Sequence, residues 1–566
     1  MAMQTYSNIF WGGINVRDQA DSLILHSHTA SQAGWYQTQR IGVESPLSEN
    51  MDFGPEEIRK RLGSASYTDL TSVMISGDTL ISGVEFEEVS SGDRIILIAS
   101  TKTFYTNDSG SFAQINDSDS AAYTHTADIT KCKFVLEDGR VFAGCDGANK
   151  IQVYKGGADL DDELHNNSSN TYETSYSGAT DFAISGTWGT GYTALGSLHG
   201  RLCFGNDSVL EFTPMSRVSG TGIGELGDAT AGAYFAQGRI KMVESFTPHN
   251  LDDVDAVLYV GTSAGVEMIT GFAATDFSRV VPNAGAPINH QCFFKSLNWF
   301  VYLTTEGEIL GINGSRIINL GARLKTPDST GPLDDFNESA SATTAFGFYN
   351  RDKQQGIIAF STDSAHVNDT MIVIDFKEGE PIPGEPEQSW ERRVRLLKWQ
   401  IKNPDTQDWF VHIFQRTGAA TGIMSDGTTW TLDSGDDDLG SIAVESKHRI
   451  PIFTGGQGLE HYKKQWYRAD FGNLSTGNWT MTVKVFVDRD PNPVETYTFN
   501  QTQAGAFILG TSVLGDDLLA GGLVADFHRL QQRSETIQLE FSDTNTGQPF
   551  KVATLGLTYE VGALRR

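Results

Sequence analysis

The chain has 566 residues and a formal net charge of −29 at pH 7, and 39% of its residues are hydrophobic. That hydrophobic content is enough for a large buried core and excludes an intrinsically disordered chain. An anionic surface repels phosphate groups, which disfavours tight nucleic-acid binding. No apolar run approaches the length of about 18 residues that a membrane span needs, so we expect no membrane-spanning segment. The first ten residues also lack the pattern of a secretion signal.

Residues 1–65 are predicted to form an irregular N-terminal lead segment that contains one short helix, over residues 55–62. The basic run Arg59-Lys60-Arg61 stands out in so acidic a chain. It has two interpretations: the solvated end of that helix, or a contact with an acidic neighbouring subunit. On the second interpretation, these three residues are candidate interface residues.

From about residue 66 one unit recurs along the chain. It consists of a strand rich in β-branched or aromatic residues, a turn containing Gly, Asn or Asp, and a second strand. A single small twisted sheet cannot bury both of its faces, whereas a ring of such sheets can, and ring closure leaves only short edges exposed. About seven copies at a spacing of roughly 40–60 residues are typical of propeller blades. The sequence therefore predicts an all-β fold in which residues 66–435 form a β-propeller of six or seven irregular blades.

An acidic stretch over residues 433–438 interrupts this pattern, and its like charges favour an extended linker. Beyond it, hydrophobic and polar residues alternate with a period of two, as in Val483, Val485 and Val487. Such alternation predicts strands with one buried and one solvated face. We therefore expect residues 440–566 to form a C-terminal domain of the β-sandwich or jelly-roll type. Helical patterns are sparse; residues 516–520 and 525–532 are the best candidates for short turns or helices.

Two glycine-rich motifs match patterns found in enzymes. Residues 261–265 match the GxSxG pattern of a nucleophile elbow, but the residues that follow read as a strand, so we expect a hairpin turn between two blade strands. Residues 222–227 match GxGxxG, but no strand leads into the motif and no helix leaves it, so we expect a loop. We name no catalytic residue and expect the chain not to be an enzyme.

The sequence gives no pattern for a bound cofactor or a metal site. The carboxylate clusters at residues 159–163 and 436–438 lack the twelve-residue calcium loop, and solvated loops are favoured over weak Ca²⁺ binding. None of the four cysteines lies in a metal-binding spacing. Cys132 and Cys145 can face each other across a hairpin, and we expect Cys132, Cys145, Cys203 and Cys292 to be reduced and buried.

Near the start of the chain, Gly12-Gly13-Ile14-Asn15-Val16-Arg17-Asp18 is followed by Asn50-Met51 and then by Lys60-Arg61-Leu62-Gly63. These residues resemble the GG-N-R-D, N-V and K-R-x-G patterns that precede the first blade in phage tail nozzle and related propeller-bearing tail proteins of short-tailed bacteriophages. The sequence departs from the N-V pattern, with Met51 in place of the V. Residues 550–562, followed by Arg565-Arg566, are similar to the closing β-hairpin of such proteins.

This resemblance implies a non-enzymatic virion structural protein, the tail nozzle that forms the distal part of the DNA-ejection channel of a podovirus-type tail. It implies assembly in the host cytoplasm, a homo-oligomeric ring of six copies, attachment to a tail adaptor protein, and contact with a tail fibre, spike or needle. Genomic DNA would pass through without specific binding, and carboxylates that face the lumen would repel its phosphates.

Two other interpretations remain open from the sequence. The chain fits a receptor-binding or glycan-degrading propeller of the virion, in which exposed aromatic residues such as Trp188 and Tyr192 would stack on sugar rings. It also fits an intracellular propeller scaffold of a cellular organism.

Overall fold

The structure is a computed structural model, and its regular elements are almost all β-strands. Five strands precede the first blade: β1 (Ala2–Ser7), β2 (Leu47–Glu49), β3 (Met51–Gly54), β4 (Glu57–Lys60) and β5 (Ser64–Asp69). The structure describes residues 2–7, 47–54, 57–88, 91–108, 110–116, 122–137, 140–147, 149, 151–154, 192–212, 232–247, 256–271, 277–325, 331–391, 393–401, 409–454, 459, 461–474, 480–500, 523–547, 551–552 and 554–564.

Seven antiparallel blades follow in chain order. Blade 1 contains β6 (Leu80–Glu87), β7 (Arg94–Ser100), β8 (Phe104–Thr106) and β9 (Ala113–Gln114). Blade 2 contains β10 (Cys132–Glu137), β11 (Arg140–Cys145) and β12 (Gln152–Tyr154). Blade 3 contains β13 (Ala194–Leu198), β14 (Arg201–Asn206), β15 (Val209–Phe212) and β16 (Gly232–Phe235). Blade 4 contains β17 (Ile240–Phe246), β18 (Val257–Thr262), β19 (Gly265–Thr270) and β20 (Ser278–Val280). Blade 5 contains β21 (Phe293–Lys295), β22 (Phe300–Leu303), β23 (Ile309–Asn313) and β24 (Arg316–Asn319).

Blades 6 and 7 complete the ring, and the described helices lie near them. Blade 6 contains β25 (Phe346–Asn350), β26 (Gln355–Phe360), β27 (Thr370–Asp375) and β28 (Arg395–Trp399), and blade 7 contains β29 (His412–Arg416), β30 (Ala419–Ile423) and β31 (Thr428–Leu432). The helical elements are a 3-10 turn (Ala322–Leu324), α1 (Glu338–Thr344) and α2 (Glu387–Trp390). No helix in the described ranges is long and apolar enough to cross a membrane.

The ring closes through a strand from outside the blade series. Strand β5 pairs antiparallel with β31 and forms the outer edge of blade 7, while the first strands of blades 7 and 1, β29 and β6, contact each other. Pairing of an N-terminal strand with the last blade fastens the ring without a covalent link. The inner strands also approach very closely: a Cβ at Gly347 of blade 6 would lie 2.3 Å from the carbonyl oxygen of Phe293 in blade 5.

The C-terminal domain is a two-sheet β-structure that continues directly from blade 6. Strand β2 pairs in parallel with β28 and antiparallel with the short strand β34 (Ser446–Arg449), so blade 6 belongs to a nine-stranded sheet. The second sheet has the order β1, β41, β35, β38. The strands are β32 (Asp437–Asp438), β33 (Ile442–Ala443), β34 (Ser446–Arg449), β35 (Tyr462–Leu474), β36 (Thr480–Val487), β37 (Glu495–Asn500), β38 (Leu523–Ser534), β39 (Ile537–Asp543), β40 (Lys551–Val552) and β41 (Thr554–Leu564).

One hydrophobic core spans the propeller and the C-terminal domain. It includes Phe346 of blade 6, Phe410 before blade 7, Ile58 of β4, and Trp466 and Tyr559 of the second sheet, all of them fully buried or nearly so. Because apolar burial stabilises in proportion to the area removed from water, the two domains gain much of their stability from each other.

The structure confirms the all-β fold, the propeller, with seven blades, and the C-terminal β-sandwich. The alternating pattern is confirmed over the first part of β36, where Val483 and Val485 are buried between partly exposed polar residues. At its end the pattern differs, since Phe486 is buried and Val487 only half-buried. Two helix predictions are wrong. Residues 57–60 form strand β4, and residues 525–532 lie within strand β38; in both cases pairing with a neighbouring strand outweighs weak local propensity. Residues 516–520 lie outside the described part of the chain.

We expect ring closure to depend on side chains that join β31 to β5. The Thr429 hydroxyl donates to the Thr68 carbonyl oxygen over 3.0 Å and accepts from the Thr68 amide over 3.2 Å. Thr429→Val leaves both backbone groups without this partner, so the free energy of unfolding should fall by about 1–3 kcal/mol in chemical denaturation. Thr496→Val, at an exposed position of β37, is the control and should have little effect. Equal stability of both variants would contradict this role of Thr429.

Candidate functional site: the junction between propeller and sandwich

The basic run lies where blade 6, the end of blade 7 and the sandwich meet, a region that we call the junction. Strand β4 pairs with β3 on one side and with β40 on the other. Successive residues of an extended chain point in opposite directions. Lys60 therefore points away from Arg59 and Arg61, and the three side chains pair with three different acidic residues, Asp543, Asp52 and Asp438, respectively.

Arg61 makes a bidentate ion pair with Asp438. Its Nη1 donates to Oδ1 of Asp438 over 2.8 Å and its Nη2 to Oδ2. The same guanidinium donates to the carbonyl oxygens of Gln400, over 2.7 Å, and Leu62, over 3.0 Å. Its Nε donates to Oδ1 of Asn50 over 3.1 Å. The planar fork of arginine suits this arrangement, and every described partner belongs to the same chain.

Lys60 joins the N-terminal segment to the sandwich. Its ammonium lies 2.9 Å from Oδ2 of Asp543 at the end of β39 and donates to the carbonyl oxygen of Asn545 over 3.0 Å. The side chains of Lys60 and Asp543 are 1% and 0% exposed, respectively. A buried charge of this kind is tolerated only when it is paired and hydrogen-bonded.

Arg59 belongs to a charge cluster against blade 6. Its Nη2 lies 2.9 Å from Oδ2 of Asp52, and the Lys377 ammonium lies 3.2 Å from Oδ1 of Asp52. Burial alone would raise the pKa of Asp52, but the two cations outweigh burial and hold the pKa below its usual value. For Asp375, 3.5 Å from Lys377, burial prevails and raises the pKa.

Asn50 connects these groups through its backbone and its amide. Its φ of 52° is in the left-handed region, which Asn tolerates better than most residues. Its Oδ1 accepts from the Gln400 amide over 2.6 Å as well as from Arg61, and its Nδ2 donates to the Glu445 carbonyl oxygen over 2.6 Å. One side chain thus links blade 6 to the first residues of the sandwich.

Gly63 allows the N-terminal segment to cross the acidic stretch. A Cβ at this position would lie 1.9 Å from the Asp437 carbonyl oxygen, so only glycine fits without a shift of the backbone. The Gly63 amide donates to the Gly435 carbonyl oxygen over 3.0 Å, and the Gly63 carbonyl oxygen accepts from the Ser434 amide over 3.0 Å. Asn50, Lys60, Arg61 and Gly63, the residues that correspond to the N-V and K-R-x-G motifs, therefore all have structural roles at the junction.

The acidic stretch is not the extended linker that the sequence predicts. Asp433 lies 2.5 Å from the Lys353 ammonium, Asp437 accepts from the Gly547 amide over 2.6 Å, and Asp438 pairs with Arg61. Like-charge repulsion is overcome because these acids have separate donors. The prediction missed this because the donors lie far away in sequence.

The structure gives Lys60 and Arg61 acidic partners within their own chain. Their side chains are 1% and 2% exposed, whereas the Arg59 side chain is 33% exposed. Of the three candidate interface residues, only Arg59 therefore retains substantial surface. Contact between the basic run and a neighbouring subunit stays a prediction, and it now concerns Arg59 alone.

Other sequence motifs have structural explanations where the structure describes them. The GxSxG residues form the turn between β18 and β19, and the Ser263 hydroxyl accepts from the Arg239 amide over 3.1 Å. Tyr192 is buried and donates to Glu211 over 3.0 Å, which agrees with packing at a strand edge and rules out the alternative that it is an exposed sugar-stacking residue. Trp188, the GxGxxG residues and the 159–163 cluster lie outside the described ranges.

Cys132 and Cys145 face each other across the β10–β11 hairpin, as predicted, with their Sγ atoms 3.4 Å apart. All four cysteines are buried and free. Within the described residues, no group of three or more His, Cys, Asp or Glu side chains is placed to hold a metal ion.

A second polar region is the cavity on the propeller axis, of about 770 Å³. Its wall includes residues of the first strands of all seven blades. In the wall, Glu244 lies 2.9 Å from the Lys133 ammonium and also pairs with Lys295. Burial lowers the pKa of Lys133, and its pairing with Glu244 offsets only part of that effect. For Glu244, the two lysines outweigh burial and lower the pKa.

The chain matches no protein-family model and no curated protein. Among solved structures it is similar to the extracellular domain of a protein described as a one component system from B. thetaiotaomicron, with 12% identity and a TM-score of 0.36 over 71% of this chain. That match covers 43% of the other, longer chain.

Two further solved structures are similar at the same low level. One is a Quinonprotein alcohol dehydrogenase-like protein from Bacteroides thetaiotaomicron VPI-5482, with 10% identity and a TM-score of 0.32, covering 64% of this chain and 70% of that one. The other is the computationally designed Ika8 protein, with 10% identity and a TM-score of 0.33, covering 66% of this chain and 99% of that one. Likeness at this level carries no assignment of function.

We expect Arg61→Met to be among the most destabilising single changes at the junction. It leaves the buried Asp438 carboxylate without its cation, and removal of one partner of a buried pair costs about 3–5 kcal/mol. Arg59→Met is the matched control: it should cost about 1 kcal/mol or less, because Arg59 is partly exposed and Asp52 retains Lys377. Chemical denaturation measures both values. Equal losses would contradict the proposed importance of the Arg61–Asp438 pair.

We also expect His448 to make stability depend on pH. Burial lowers the pKa of this ring on β34 from 6.5 to about 3. Between these values the unfolded chain binds a proton that the folded chain does not, so stability falls as the pH is lowered through this window. In His448→Gln the free energy of unfolding should therefore depend less on pH. The slope of this free energy against pH should be smaller than in the unmodified protein by up to about 1.4 kcal/mol per pH unit.

The pH dependence is measured by denaturation at pH 6, 5 and 4. His461→Gln, at a position exposed in the folded chain, is the control and should keep the slope of the unmodified protein. An unchanged slope in His448→Gln would show that the ring does not titrate in this way.

Proposed function

We propose that the chain is a non-enzymatic structural protein of a bacteriophage virion, the nozzle of a short tail. In this proposal six copies form a ring at the distal end of the tail, below a tail adaptor protein, and the ring continues the channel through which DNA is ejected. A tail fibre, spike or needle is a further partner. Assembly takes place in the host cytoplasm.

The observation that carries this proposal is the meeting of the two ends that resemble nozzle proteins. Ile58 and Arg59 of β4 pair with Val552 and Lys551 of β40. Strand β1 pairs with β41 along its full length, from Ala2–Tyr559 to Ser7–Thr554. Segments about 500 residues apart in sequence thus form one structural unit, which supports reading the 58–63 motif and strands β40 and β41 as parts of one joint. The GG-N-R-D residues, 12–18, lie outside the described part of the chain.

The joint also suits a protein that transmits load. Lys60 connects β4 to the sandwich through Asp543, and Arg61 connects it to the end of the propeller through Asp438. With a shared hydrophobic core, these pairs favour a rigid two-domain subunit. A rigid subunit is what a ring on a pressurised tail requires.

The channel of the proposed ring would lie between copies and is distinct from the cavity within each propeller. Five basic residues, Arg94, Lys133, Lys295, Arg351 and Arg416, and only three acidic ones line that cavity. The excess of carboxylates that gives the net charge of −29 therefore lies elsewhere on the chain. Carboxylates that face a lumen between copies would repel DNA and keep it from binding.

Negative-stain electron microscopy of the purified full chain, alone and mixed with the adaptor complex of its virion, tests the proposal. We expect rings with a central hole, free or seated on the adaptor. Monomers that never join the adaptor would overturn the nozzle proposal and favour a receptor-binding or glycan-degrading propeller. Arg59→Glu is an informative variant: loss of rings in it, with rings retained in Arg59→Met, would place this partly exposed cation at the subunit contact.

A further inference from the structure

The cavity on the propeller axis contains hydrogen-bond donors from three different blades. Lys133 belongs to blade 2, Lys295 and the preceding Gln291 to blade 5, and His412 to blade 7. All four side chains line the same space of about 770 Å³. Residues so distant in sequence converge there because the first strand of every blade faces the axis.

The two lysines share a single carboxylate. Oε2 of Glu244 lies 2.9 Å from the Lys133 ammonium, and Oε1 pairs with Lys295. Lys133 also lies over the ring of Phe293, 4.1 Å from its centroid. Both oxygens of Glu244 are therefore engaged, while each ammonium has three N–H donors. The trio carries one excess positive charge and unused donors.

Gln291 adds a further polar group to the cavity wall. The residue is only 6% exposed, and its amide has two N–H donors on Nε2. Its Oε1 is buried without a hydrogen-bond partner among the described residues; as an acceptor, this oxygen calls for a donor such as water and does not bind an anion. The Nε2 group is the part of this side chain that suits an oxyanion.

His412 provides a further donor. The Gly83 amide donates to its Nδ1 over 3.4 Å, so the proton of the neutral ring is on Nε2. Burial lowers the pKa of His412 to about 3, and the positive charge of Lys133 adds to that effect. The ring therefore stays neutral at pH 7, and its proximity to Lys133 agrees with a positive potential in the cavity.

We propose that the axial cavity binds a small oxyanion, a phosphate or carboxylate group, held by Lys133, Lys295, Gln291 and His412. The chemistry selects an anion because the four side chains offer N–H donors and the cavity wall has five basic and three acidic residues. Of these acids, Glu244 is the one beside the lysines, and both of its oxygens are engaged by them. A cation would be repelled by the two ammonium groups. This site is independent of the proposed nozzle function, because it lies inside each propeller.

Titration calorimetry of the full chain with inorganic phosphate at pH 7, at an ionic strength held constant with chloride, tests the site. We expect saturable binding of one phosphate per chain and a rise in Tm over the chloride control. Lys295→Met should weaken binding at least about tenfold, since it removes one charged partner. Lys353→Met, which alters a cation paired with Asp433 away from the cavity, should bind as the unmodified chain does.

A variant with the opposite expected effect excludes a general loss of folding as the explanation. Glu244→Gln removes the carboxylate that competes for the two ammonium groups, so phosphate should bind more tightly than to the unmodified chain. Malonate in place of phosphate distinguishes the sources: tighter binding of malonate points to a carboxylate ligand. Absence of saturable binding of either anion, or equal affinity in Lys295→Met and Lys353→Met, would overturn the proposal.

Discussion

The ion pair between Arg61 and Asp438 is the interaction on which the arrangement of the two domains depends most. It lies where the N-terminal segment leaves the sandwich, directly before this segment continues as β5 and pairs with β31 of blade 7. A buried ion pair need not add net stability compared with apolar residues, but it strongly penalises any arrangement that separates the charges. Together with Lys60–Asp543, it therefore specifies how the propeller and the sandwich are joined. The shared hydrophobic core supplies the less directional part of the attraction.

Much of the fold could be predicted from the sequence, because blades and sandwich strands have local signatures. The alternation around Val483 and the strand-turn-strand units depend on residues close together in the chain. The role of the 57–60 segment could not be predicted in this way. Its apparent helix is a strand because β3 and β40 pair with it, and β40 is about 490 residues away. The partners of the acidic stretch could not be predicted for the same reason, because they too lie far away in sequence. The sign in the sequence that the N-terminal segment forms a joint was the motif match at Asn50 and at Lys60 to Gly63.

The structure separates two uses of charge in an acidic protein. At the junction, Lys60 and Arg61 are buried and paired with acidic residues of the same chain, so their role there is to fix the structure. In the axial cavity, two lysines share the single carboxylate of Glu244, so that region is suited to an additional anion. The proposed tail nozzle function rests on the joint between the chain ends. The proposed anion site rests on the cavity, and either can fail without the other.

We infer that propeller and sandwich form one cooperative unit, held together by the N-terminal segment. Differential scanning calorimetry of the full chain is the test of this inference. We expect a single transition in which the calorimetric and van't Hoff enthalpies agree, because neither domain keeps its core once the junction opens. Two separate transitions, each with the enthalpy of one domain, would contradict it and show that the domains are stable independently of the junction.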